Sequence, residues 1–225
     1  MSMRAVGIVV FSFLVSVAAI AAPRLPKSFP TRAGGPAIAF AEDSITLAEA
    51  TPGARLYVAN VSLGSGSYQI IVQSEAGVVT ADAAGAARYA PQRPVETRGV
   101  WIAVDGATGG YTVAAPRGTL LREIDFPGNG FPPTGSGALR RFALAERYSV
   151  EAILIRPAVG MWSGSLRDGG KHDEDKTIDG AIEADVATLT PVGNAPAAPE
   201  RVMPGDLLVL IDRATLEYHV AVHGK

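Results

Sequence analysis

Between Asp168 and Asp185 the chain carries seven carboxylates, Asp168, Asp173, Glu174, Asp175, Asp179, Glu183 and Asp185, against two lysines, Lys171 and Lys176. Calcium takes about six to eight oxygen ligands, supplied by carboxylates, carbonyls and water on a tightly turning loop. Asp173, Asp175, Thr177 and Asp179 stand at alternate positions, as in loops of the D-x-D-x-D type, and Glu183 or Asp185 can add a further carboxylate. Asp173, Asp175, Thr177, Asp179 and Glu183 are therefore the candidate metal ligands, with calcium as the candidate ion. The competing reading is a solvated acidic loop without a ligand.

Two departures weigh on the calcium reading. Counting from Asp173, the sixth position is Ile178 where an EF-hand loop has Gly, and the twelfth is Ala184 where it has Glu. The histidines offer less. His219 and His223 have the four-residue spacing that joins two imidazoles on a helix, but the flanking pattern is that of a strand. At about 3.3 Å per residue the two rings stand roughly 13 Å apart there, too far to share zinc. Neither Gly64-Ser65-Gly66-Ser67 nor Ser163-Gly164-Ser165 matches the Gly-x-Ser-x-Gly turn that exposes a hydrolase serine. No glycine-rich loop opens a helix after a strand, as phosphate binding requires. Trp162, in Gly160-Met161-Trp162-Ser163-Gly164, reads as a core or hairpin aromatic.

The elements that would position these groups are strands. Short β-branched or aromatic runs separated by turn residues cover 55–63, 68–73, 77–81, 86–89, 100–104 and 111–114, the spacing of an antiparallel sandwich. In 68–73 alternation puts Tyr68, Ile70 and Val72 on one face and Gln69 and Gln73 on the other. Further strands are expected over 119–124 and 150–156. Pro204-Gly205-Asp206 leads into a hairpin of 207–211 and 217–223, with Tyr218, Val220 and Val222 on one face and His219, Ala221 and His223 on the other. Seven of the twelve residues from Phe126 to Gly137 are Pro or Gly, which excludes regular structure there. Ser136 can cap a short helix over 138–147.

Gly77-Val78-Val79-Thr80-Ala81-Asp82-Ala83-Ala84-Gly85-Ala86-Ala87-Arg88-Tyr89 is similar to the strand, Thr-x-Asp-x-x-Gly turn, strand hairpin of bacterial immunoglobulin-like and transthyretin-like modules, and the N-terminal half resembles those modules. The resemblance implies a sandwich over 38–115, a spacer or binding role, and no catalytic residue. The expected fold is mainly β: an antiparallel β-sandwich-like unit followed by a second β-rich unit over 118–225 that carries the one short helix.

Composition narrows the function. With 225 residues, 48% hydrophobic and 19% charged, the chain has the make-up of a globular protein. Met1-Ser2-Met3-Arg4, an uncharged stretch from Ala5 to Ala22 and the small residues Ala19 and Ala21 read as a signal peptide over 1–21, followed by an exposed lead-in over 22–37 containing Pro23, Pro26, Pro30 and Gly34-Gly35. Removing its one Arg takes the formal net charge from −2 to −3, which gives no basic face for nucleic acid. No later segment is long enough to span a membrane. The absence of cysteine excludes disulfides, thiolate catalysis and a lipidated cysteine. These features predict an exported, periplasmic or extracellular, non-catalytic protein for binding, adhesion or envelope scaffolding, whose partner is an unidentified ligand or an envelope or extracellular protein. The alternative is a secreted hydrolase using carboxylates of the 168–185 segment, held across a cleft between the two units.

Overall fold

The computed structural model describes residues 34–65, 70–96, 98–116, 121–123, 150–166, 186–213 and 215–222. Among them the fold is mainly β, as expected. The strands are β1 (Ala37–Phe40), β2 (Ile45–Ala48), β3 (Arg55–Ser65), β4 (Ile70–Thr80), β5 (Ala87–Tyr89), β6 (Gly99–Asp105), β7 (Tyr111–Ala114), β8 (Arg122–Glu123), β9 (Val150–Arg156), β10 (Gly160–Leu166), β11 (Thr190–Pro191), β12 (Leu207–Asp212) and β13 (Glu217–Val222). They form three sheets, ordered β1-β2-β5, β4-β3-β6-β7 and β11-β10-β9-β12-β13-β8. All pairings are antiparallel except β13 with β8.

Alternation decides how the sheets stack. Along β3, Tyr57, Ala59, Val61 and Leu63 enter a core shared with Ile153 and Ile155 of β9 and with Leu207, Val209 and Ile211 of β12. Leu56 and Val58, on the opposite face, join Ile45, Leu47, Tyr89 and Trp101 against the three-stranded sheet. The four-stranded sheet is thus a middle layer covered on both faces. The six-stranded sheet is covered on its outer face as well, where Leu154, Trp162, Leu208 and Leu210 meet Val186, Leu189 and Val202. Double coverage is why Gly99–Asp105 and Leu207–Asp212 are buried along their whole length and read as continuous apolar runs. The expected division near residue 115 separates the strands of the first two sheets from those of the third, yet one core joins the middle sheet to the six-stranded one.

Two local expectations change. The runs 68–73 and 77–81 merge into one eleven-residue strand, with Gly77 inside it rather than at the start of a second one. A side chain there would collide with the ring of Tyr89, its Cβ 2.4 Å from Tyr89 Cε2, so glycine serves a close approach. The Thr-x-Asp-x-x-Gly turn forms, with Asp82 Oδ1 accepting the N–H of Ala84 at 2.8 Å and of Ala86 at 2.9 Å. It is not a hairpin turn, however: β4 lies in the four-stranded sheet and β5 in the three-stranded one. Gly85 takes φ +76°, and a β-carbon there would stand 2.2 Å from the Ala50 carbonyl oxygen, which fixes this corner. The C-terminal hairpin follows the expected faces. Tyr218 and Val220 enter the shared core with Val222 packed against it, and Ala221 enters the outer one.

Candidate functional site

The candidate ligands Asp173, Asp175, Thr177, Asp179 and Glu183 lie outside the described residues, as do Asp185, His172, His223, the helix expected over 138–147 and the segment 1–21. Among the described residues no three His, Asp or Glu side chains come together to hold a metal ion. His219 is buried on β13.

Two of the buried acids, Asp105 and Asp206, hold loops. Asp105, at the end of β6, accepts the Thr51 N–H at 2.7 Å on Oδ2 and the N–H groups of Ala107 and Thr108 at 2.8 and 3.3 Å on Oδ1. Burial alone would raise its pKa, but these backbone donors bring it below the ordinary carboxylate value. Asp206, expected as a turn residue, is the buried half of a two-pronged ion pair: Arg156 Nε donates to Oδ1 at 2.9 Å and Arg156 Nη2 to Oδ2 at 2.8 Å. The Met203 N–H adds a third donor at 2.8 Å, and the guanidinium lies 6.0 Å from the centre of the Trp162 ring. The Trp162 indole in turn donates to the Pro196 carbonyl at 2.8 Å, so the layer over the outer face is pinned from the sheet.

A different arrangement occurs where β3 runs on past Val58. The face it turns toward the three-stranded sheet changes from Leu56 and Val58 to Asn60 and Ser62. Register sets Glu75 opposite Asn60 and Gln73 opposite Ser62, so four polar side chains share one patch of an otherwise apolar layer. The segment Pro91–Pro94 and Arg213 complete a cleft of about 240 Å³ over this floor. Glu75 is committed: its Oε1 accepts from the Tyr89 hydroxyl, and both of its oxygens accept from the Gln92 N–H at 3.0 and 3.1 Å. Burial, and then Glu75 itself, raises the Tyr89 pKa. Asn60 is 7% exposed, and its Oδ1 is buried with no hydrogen-bond partner.

Behind the cleft lies Glu151 of β9, 4% exposed. Its Oε2 accepts from Ser165 Oγ at 3.2 Å, and Arg213 Nη1 donates to that same hydroxyl at 2.7 Å. Ser74 lines the cleft from β4. Burial raises the Glu151 pKa, and Arg213, Ser165 and Ser74 only partly oppose it. A polar seam therefore runs from the cleft floor into the contact between the two larger sheets.

Sequence reasoning passed over Asn60, Glu75, Glu151 and Arg213, which are scattered along the chain and meet only through strand register. The one local sign is the polar pair Asn60 and Ser62 inside an apolar strand. Comparison with protein-family models, with curated proteins and with solved structures finds no match.

Proposed function

We propose that the chain is an exported, non-catalytic β-sandwich protein that acts by binding, adhesion or scaffolding in the cell envelope or outside it. The observation that supports this reading is the use made of acids inside the fold: the buried Asp105 and Asp206 and the half-buried Glu75 each spend their oxygens on donors that hold a turn or a crossing segment in place. Stacked sheets pinned in this way make a rigid platform, and a platform presents surfaces and clefts. The resemblance of the N-terminal half to immunoglobulin-like and transthyretin-like modules belongs to the same reading, as does the signal peptide over 1–21.

Expressed with its full sequence in a bacterium, the chain is expected in the periplasm or medium with Ala22 at its N-terminus. Unprocessed chain confined to the cytoplasm overturns the export. The acidic segment enters as a calcium loop formed by Asp173, Asp175, Thr177, Asp179 and Glu183. A ligand at about 100 times its dissociation constant stabilises the folded state by roughly 2.7 kcal/mol, which moves the midpoint of a chain this size by several degrees. Thermal unfolding in millimolar calcium and again in chelator is expected to show that rise, and Asp173→Ala with Asp175→Ala to abolish it. An identical midpoint in both overturns the calcium loop.

A further inference from the structure

We propose that the cleft roofed by Pro91–Pro94 is a binding site for a single sugar-acid unit, a small ring bearing hydroxyl groups and one carboxylate. The inference rests on the reading of the chain as a binding protein and names what one of its clefts takes. Four observations lead to it. The first is a cost that the fold carries: Asn60 Oδ1 is buried and without a hydrogen-bond partner, and an acceptor left in that state is destabilising by about 1–3 kcal/mol unless something donates to it. The second is the chemistry of the remaining lining. Ser62, Gln73 and Gln92 carry groups that both donate and accept, the pattern that matches hydroxyls, which do the same.

The third observation is charge. Arg93 and Arg213 both line the cleft, and Arg93 makes no ion pair among the described residues. The one lining carboxylate, Glu75, already accepts from the Tyr89 hydroxyl and the Gln92 N–H. A planar guanidinium is suited to a carboxylate, which it can meet with two parallel N–H groups. The fourth is size: about 240 Å³ lies below the range of about 300–1,000 Å³ usual for drug-sized ligands, which suits one ring rather than a chain of them. The occupant that answers all four donates a hydroxyl to Asn60, exchanges hydrogen bonds with Ser62 and the glutamines, and sets its carboxylate toward the arginines.

The test is titration of the whole chain from residue 22 with D-glucuronate, followed by calorimetry and by amide NMR shifts, with D-glucose and acetate as controls. Saturable binding of glucuronate is expected, with glucose and acetate each at least about tenfold weaker, since each lacks one half of the recognised chemistry. Arg93→Ala, on the exposed roof, and Asn60→Leu, in the floor, are each expected to weaken binding about tenfold. Arg93→Ala keeps the test decisive should Asn60→Leu fail to fold. Glucose binding as tightly as glucuronate overturns the sugar-acid class. Absence of saturation, or binding that neither substitution weakens, overturns the site. Export and the calcium response are measured separately, so failure of the cleft leaves the proposed function standing.

Discussion

The ring of Tyr89 occupies the space beside Gly77 where a side chain would otherwise stand, and its hydroxyl then reaches Glu75 two residues along the same strand. This contact ties the three-stranded sheet to the edge of the middle one and sets one wall of the polar cleft. Gly77→Ala forces the ring aside and is expected to destabilise the chain by about 1–3 kcal/mol, the usual cost of overfilling a packed site. Tyr89→Phe, which keeps the ring and loses only the hydroxyl, is expected to cost about 1 kcal/mol. Urea unfolding of both variants checks the order, and equal effects would mean that the hydrogen bond rather than the ring contact matters.

Asp105 makes the fold acid-sensitive. Its pKa is lowered in the folded state, so the stability it contributes is complete above the ordinary value of 3.8 and is lost as pH falls through the lower folded value. Asp105→Asn sets an amide N–H₂ against backbone N–H groups on one side or the other, because Oδ1 and Oδ2 both accept. The variant is expected to be about 2 kcal/mol less stable at pH 7, with the gap to the parent narrowing as pH falls below 3.8. Stability measured across that range decides it, and a constant gap would remove Asp105 as the source.

Local pattern shows along the chain, and contacts made through strand register do not. The hairpin of β12 and β13 was legible because each strand's alternation and the intervening Asp212–Thr215 turn lie within sixteen residues. The mainly β character was legible for the same local reason. The stacking was not: nothing near Tyr57 announces that its neighbours in the core are Ile153 and Val209, about a hundred residues and more away. The cleft was hidden likewise, since Asn60 meets Glu75 only through the register of β3 with β4. Gly77 gives no local sign of its role, because the aromatic ring it makes room for comes from another sheet. The acidic run over 168–185 is legible because its groups are adjacent in sequence, and it lies outside the described residues.

Glu151 has the opposite sign from Asp105. Burial raises its pKa, so its contribution is fully present below the ordinary value of 4.5 and is lost as pH rises through the folded value. At pH 7 to 8 the burial penalty on the carboxylate is offset only in part by Ser165 and Arg213. Glu151→Gln is expected to raise the thermal midpoint there by about 2–4 °C, the shift that roughly 1 kcal/mol gives at this size. The gain should vanish below about pH 4, where folded and unfolded states both hold the proton. A lowered midpoint at pH 8 would mean that Arg213 more than repays the burial.

The shared core predicts that the N-terminal half cannot stand alone. In a fragment of residues 22–115, Tyr57, Ala59, Val61, Val100, Ile102, Val104 and Val113 lose the six-stranded sheet that covers them. Fully burying one aliphatic side chain of this size contributes about 1.5–3 kcal/mol. Several exposed together exceed the roughly 5–15 kcal/mol by which a whole domain is stable. The three-stranded sheet covers only the opposite face of the middle layer and cannot substitute. The fragment is therefore expected to melt without a cooperative transition and to bind a dye that reports exposed apolar surface, while residues 22–225 melt as one unit. Cooperative melting of the fragment near the midpoint of the full chain would mean that the contact between the two larger sheets contributes little, and that the chain is two domains joined near residue 115.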